Sequence, residues 1–436
     1  MSIKKLTVIA SFNLSFHWFS IGIILPIMSL FLIEKGFSLF QLGIAFAIYS
    51  GTTVLLELPT GGLADAIGRK RVYILSLSLQ FAGGILMVFL SGYYAILVCF
   101  ILQGAARSLS SGTMDAHFID EFYALDPDIK LQKVMAKIGI FIPLALGIGS
   151  VIGGFLPMTL GTVTERVFGG NAYAANYICY AAAVAIQIIA TLILVHENRE
   201  RFSGSTVLDG IRKVPDVLKT SVSYGIKHPV VLLLLITGFI WGFSISGLEG
   251  YWQPQVRNII GGQEGSSWIF GLLTFGYFLA ASAGNLLITP LCRLFRDNYP
   301  VVLFVTRAIM GILYIFLAFQ IHLPLFSVFY VTLFLWNGMQ ESPQSSIFNK
   351  EIPSEKRSTL ISFASLFLQA GGISGSLLLG FLAQSYSIKT AWVVASIVIT
   401  ASALLYLRIP AAEKRNNDNA ETLADLSVNI SMEDAT

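Results

Sequence analysis

Two opposite charges interrupt stretches of sequence that are otherwise apolar, Arg107 and Glu341. An ionisable side chain at the centre of a bilayer costs at least ~2.5 kcal/mol, so each is a functional candidate by default. Arg107 stands about 13 residues, roughly 20 Å, into its apolar run, and Glu341 about 17 residues into its own, which puts both near mid-depth. A functional ion pair that a solute or a proton must break, or two separate cavity charges, is one reading; a static structural pair is the other. Asp115 lies two turns beyond Arg107 on nearly the same helical stripe, with His117 beside it, and leads to Asp120 and Glu121. A run of acids of this kind suits proton movement, and near a helix end it equally suits solvation. Glu249, next to Tyr251 and Trp252, fits an outer gate or an interfacial aromatic belt. His17 is either packed and hydrogen-bonded or titrating. Arg307 is expected to snorkel or to make a structural pair. Trp241, Phe243, Trp336 and Phe239 add aromatic surface that suits an amphipathic solute or an organic cation, and Asn337, beside Trp336, is a further candidate for solute or proton coupling.

The elements that position these groups follow from composition. Of 436 residues, 55% are hydrophobic and only 12% charged, and the mean hydropathy is +0.73. A soluble fold of this size cannot hide so much apolar surface, so lipid is the expected solvent. A spanning helix needs about 20 mostly apolar residues. Apolar windows fall near 7–33, 40–60, 72–92, 94–119, 137–158, 174–195, 229–252, 267–290, 300–320, 324–347, 359–384 and 389–409. The start resembles a signal peptide, but its apolar run continues to about Ile33 without a cleavage pattern, and it is read as a retained first span. With the N-terminus in the cytoplasm, 22 of the 28 Lys and Arg residues fall inside. The positive-inside rule therefore predicts that both chain termini are cytoplasmic, in a plasma membrane of bacterial inner-membrane type.

The polar stretch 196–228 divides the spans six and six. The expected organisation is a first bundle over 1–195, a cytoplasmic loop over 196–228, a second bundle over 229–409 and a disordered tail over 410–436. An internal echo supports two related halves: Gly149-Ser150-Val151-Ile152-Gly153-Gly154-Phe155-Leu156 returns as Gly375-Ser376-Leu377-Leu378-Leu379-Gly380-Phe381-Leu382. Aligning the fourth and tenth spans sets Gln103-Gly104 against Asn337-Gly338, and Arg107 against Glu341. Parallel halves with a solute site between them are a known transporter plan.

After the second span comes Gly61-Gly62-Leu63-Ala64-Asp65-Ala66-Ile67-Gly68-Arg69-Lys70-Arg71. The glycines allow a tight turn, Asp65 can cap or pair, and the basic triad can anchor to headgroups. The stretch resembles the signature Gly-x-Leu-Ala-Asp-x-x-Gly-Arg-Lys of the major facilitator superfamily, and the six-loop-six layout agrees. The resemblance implies an all-α membrane fold of twelve transmembrane helices in two pseudo-symmetric six-helix bundles, which rock about a central cavity lined by spans one, four, seven and ten. It further implies a cytoplasmic gate in which Gly61, Asp65, Gly68 and Arg69 engage the facing half. Asp120 or Glu121 is then the partner of Arg69, and Glu57 braces the loop from one turn away. A topogenic basic loop without gating work is the plainer reading.

The family's exporters carry Gly-x-x-x-Gly-Pro-x-x-Gly-Gly in span five; here Ala145 and Ser150 replace the first glycine and the proline, and the small-residue face remains. Phe100 stands where another family pattern places an arginine. The expected activity is proton-coupled export of a small organic compound, with proton-coupled uptake as the alternative and a non-transporting sensor on the same scaffold as a distant one. The expected partners are the solute, protons and the bilayer, with no nucleic acid and no cofactor, and the expected state is a monomer. Cys99, Cys179 and Cys292 show no disulfide or metal spacing, and no constellation for enzyme chemistry appears.

Overall fold

In a bilayer interior the backbone has no water to bond, so each crossing satisfies itself as a helix. The computed structural model describes residues 2–168, 171–197, 225–263, 265–353 and 357–414, with the backbone alone at 58, 59, 61, 62, 65, 358 and 359. Most of the expected central loop and tail thus lies outside the described residues, although 409–414 still form helix where a disordered tail was expected.

The first bundle holds α1 (Ile3–Ile24), α2 (Met28–Glu34), α3 (Leu39–Ile67), α4 (Arg69–Phe89), α5 (Tyr93–Ser110), α6 (Thr113–Leu125), α7 (Leu131–Thr159), the short α8 (Gly161–Phe168) and α9 (Ala174–Leu194). The second holds α10 (Pro229–Ile259), α11 (Ser267–Leu294), α12 (Tyr299–Ala318), α13 (Leu323–Gly338), α14 (Glu341–Glu351), α15 (Arg357–Ser385) and α16 (Ile388–Tyr406). Among the described residues, 11 helical stretches are long and apolar enough to cross a membrane. The twelfth crossing is α13 with α14. Large apolar side chains such as Leu55, Ile189, Leu286 and Phe381 face outward, as lipid requires.

Among the described residues, three crossings are broken. Pro26 opens a single 3₁₀ turn between α1 and α2. Gly112, at φ +66°, separates α5 from α6, and Met339 and Gln340 separate α13 from α14. The stripe expected to run from Arg107 to Asp115 therefore does not continue: Asp115 begins a new helix, in the first turn of α6, where an acid favours the helix dipole. The signature stretch differs from expectation as well. Gly61 and Gly62 lie inside α3, and the reversal falls at Gly68, whose φ of +100° favours glycine.

The echo between the fifth and eleventh spans is a packing device. On α7, a Cβ at Gly149 would collide with the carbonyl of Phe19 and one at Gly153 with that of Ile23, both on α1. On α15, Gly371 and Gly375 meet the carbonyls of Phe239 and Phe243 on α10 in the same manner. The other faces of α7 and α15 join the bundles. A Cβ on Gly271 of α11 would lie 2.6 Å from the Ser150 carbonyl, and one on Gly43 of α3 would collide with that of Ser376. Ser150 and Ser376 are equivalent positions of the echo, so one motif builds both seams.

Candidate functional site

At the end of the molecule far from the chain termini, the bundles are bonded to each other. The turn at Pro26 leaves the Leu25 carbonyl to accept from Gln253 Nε2 at 2.8 Å, while Gln253 Oε1 accepts from Ser29 N at 2.8 Å. Ser29 Oγ donates to the Gly250 carbonyl at 3.0 Å, Leu39 N donates to Gln384 Oε1 at 3.0 Å, and Arg257 pairs with Glu34. Toward the terminal end a cavity of ≈ 640 Å³ opens in the second bundle, between α10, α11, the α13–α14 break and α15.

The cavity wall is rich in amides and aromatic rings. Trp241 Nε1 donates to Asn337 Oδ1 at 2.7 Å, which holds the indole at the rim; Asn285, Gln344, Phe278 and Phe348 line the same space. Glu341 borders it as an exposed carboxylate with no ion pair among the described residues. Arg307 borders it too, and does not snorkel: it is 1% exposed. Its Nε donates to Gln340 Oε1 at 2.5 Å, Nη1 to the Thr237 carbonyl at 3.3 Å and Nη2 to Tyr406 Oη at 2.8 Å. The polar side chains of Gln340, Gln344 and Tyr406 were the available signal for this burial.

Other expected residues are placed apart from this cavity. Arg107 does not reach Glu341: it is half-buried in the first bundle, with its guanidinium over the Trp18 ring at 5.4 Å. His17 is buried, its Nδ1 3.3 Å from Tyr73 Oη, which also accepts from Gln187 Nε2 at 2.7 Å. Trp336 packs with Ile288, Val302 and Met339, and Trp241 takes the cavity position. Glu249 is exposed and accepts from Tyr277 Oη at 3.2 Å. It follows Gly238, a cavity residue, by eleven positions, which returns it to the same helix face about 16 Å nearer the sealed end.

At the signature stretch, Arg69 Nη1 meets Asp120 Oδ2 at 2.6 Å, and Glu121 is half-buried nearby in sequence. The cluster is tied within its own bundle. Lys70 Nζ donates to the Leu192 and Val195 carbonyls at 3.0 and 2.6 Å, closing the end of α9. Glu197, which the sequence did not single out, accepts from Arg69 N at 2.7 Å and Lys70 N at 3.2 Å, as an anion at a helix N-terminus does. Glu57 reaches across the bundles, accepting from Gln369 Nε2 at 3.4 Å. The side chain of Asp65, and any contact at Gly61, lie outside the described residues.

The sequence matches the Major Facilitator Superfamily over residues 10–262 and again over 259–431. The chain belongs to that superfamily. It is 22% identical over 393 residues to the MFS-type transporter YxaM of Bacillus subtilis, covering 90% of this chain and 92% of that one. The quinolone resistance protein NorA of Staphylococcus aureus is 21% identical over 229 residues, 52% of this chain and 53% of NorA. A crystal structure of a variant of the nucleoside transporter NupG superposes with a TM-score of 0.75 at 13% identity, covering 93% of this chain and 99% of that one. Membership makes this a multi-pass membrane transporter for a small-molecule solute, not an enzyme.

Proposed function

We propose that this facilitator exports a small organic compound carrying a positively charged group, in exchange for protons, by alternating access. The carboxylate of Glu341, without an ion pair among the described residues and lining the same cavity as Trp241 and Phe278, is the observation that carries this reading. A carboxylate facing aromatic rings suits a cation, through charge and cation–π attraction. Proton and solute compete for that carboxylate, so protonation releases the solute and the two reorient separately. The positive-inside bias supports cytoplasmic termini, which makes the structure inward-facing, and the similarity to NorA supports export. Arg69 and Asp120 belong to the cytoplasmic gate in this reading, Glu57 braces it, and Glu249 serves as a second proton site near the sealed end. A plasma-membrane monomer of two bundles, 1–195 and 229–409, joined by 196–228, is the proposed working unit.

Everted vesicles energised with an acid lumen and exposed to a panel of organic cations test this. At least one cation is expected to raise lumenal pH, and Glu341→Gln to abolish the response at normal protein levels. A wild-type response fully retained in Glu341→Gln overturns the reading.

A further inference from the structure

Arg307 poses a question that cation export leaves open. Its guanidinium is buried at the wall of the cavity, and its hydrogen-bond partners are a carboxamide, a backbone carbonyl and a phenol, all of them neutral. A buried charge is ordinarily paired, because desolvation costs several kcal/mol that neutral acceptors repay only in part. Guanidinium has five N–H groups. The three bonds use one on each nitrogen and leave one N–H on each of Nη1 and Nη2 without an acceptor among the described residues, donors of the kind that carboxylates take.

Glu341 is next in sequence to Gln340, the residue that Arg307 holds, so its Cα lies about 3.8 Å from that of Gln340. Among the described residues, Arg307 and Glu341 are the charged ones of the cavity lining. No ion pair joins them among the described residues. A purely cationic solute engages Glu341 and leaves the guanidinium uncompensated; a solute with both signs of charge satisfies both. Gln340 is buried, and its Nε2 donates to Met310 Sδ at 3.0 Å, but it lies in the break between α13 and α14, so an incoming carboxylate that displaces it frees the Arg307 Nε–H without unwinding either helix.

We propose that the solute taken by this cavity is a small zwitterion, an amino-carboxylate whose ammonium group meets Glu341 and whose carboxylate meets Arg307. The proposal rests on the reading of this cavity as the solute site and narrows its chemistry. Purified full-length protein is titrated, by tryptophan fluorescence, with matched triplets: each common amino acid, its methyl ester and its N-acetyl derivative. For at least one side chain the free amino acid is expected to bind about 10- to 100-fold more tightly than either derivative, the loss expected for one charged hydrogen-bonded contact. Arg307→Met is expected to remove the preference over the ester, Glu341→Gln the preference over the N-acetyl form, and Arg307→Lys to retain part of the first. Wild-type protein alone carries the test if Arg307→Met does not fold. The absence of any preference for the free amino acid, whether all three forms bind alike or none binds, overturns the proposal. A cation response in everted vesicles under that outcome leaves the export reading standing and removes only the zwitterion.

Discussion

Gly271→Ala tests whether the seams between the bundles set the conformational balance. The added Cβ would lie 2.6 Å from the Ser150 carbonyl, whereas ordinary contact begins at 3.4 Å, so α11 and α7 must part by 3.4 − 2.6 = 0.8 Å there. The same shift takes the bond from Ser267 Oγ to the Gly154 carbonyl from 2.7 Å to about 3.5 Å, the edge of a hydrogen bond. Overpacking of this kind costs about 1–3 kcal/mol. Because the seam lies at the sealed end, the cost falls on the sealed state and shifts the equilibrium toward the opposite opening by about 5- to 150-fold. Spin labels at Tyr94→Cys and Tyr386→Cys, both exposed at that end of opposite bundles, report the change once Cys99, Cys179 and Cys292 are replaced. A longer-distance population is expected to grow in Gly271→Ala. Gly149→Ala, which collides with α1 inside one bundle, is expected to lower the thermal midpoint and leave the distances alone. An unchanged distance distribution in Gly271→Ala refutes the reasoning.

Other perturbations separate packing from gating. Lys35 Nζ donates to the Val88 and Leu90 carbonyls at 3.0 and 2.8 Å, closing the end of α4; Lys35→Met is expected to cost about 1–2 kcal/mol in thermal unfolding. Arg69→Ala breaks a pair whose Asp120 side chain is 57% exposed, so stability should change by less than about 1 kcal/mol. Transport, in contrast, is expected to fall at least tenfold if the gate reading holds, as vesicle flux would report. His228 caps α10, its Nδ1 accepting from Val231 N at 3.4 Å, and burial lowers its pKa from 6.5. The cap needs the neutral ring, so its stabilisation is present above pH 6.5 and is lost as pH falls through the lowered value. His228→Asn keeps a capping acceptor without titrating, and its thermal midpoint is expected to fall less than that of the wild type between neutral and acid pH.

Hydropathy and the signature stretch made most of the fold legible, because a bilayer demands apolar helices and little else of each window. Helix breaks escaped the same reading. Gly112 and the Met339–Gln340 break cost nothing in average hydropathy, yet they turn Asp115 off the Arg107 stripe and place Gln340 against Arg307. Pairing Arg107 with Glu341 assumed that equivalent positions in related halves face each other. Each instead stays within its own bundle, Arg107 over the Trp18 ring and Glu341 on the lining of the second bundle's cavity. Arg307 was underestimated because burial depends on what the neighbouring helices supply, and Thr237, Gln340 and Tyr406 come from three separate segments of the chain.

The glycine tracks on α7 and α15 carry a mechanical consequence. Each presents bare backbone in two directions, toward its own bundle's cavity helix and toward the opposite bundle. Helices that mesh through large side chains must disengage every tooth before they move. Surfaces in which carbonyl rests on glycine have no teeth, so they slide and roll with little barrier while keeping close contact. The two helices thus act as bearings with separate tracks, one for a local shift of α1 or α10 and one for the rocking of whole bundles, so bulk added on one track impedes the motion that track serves.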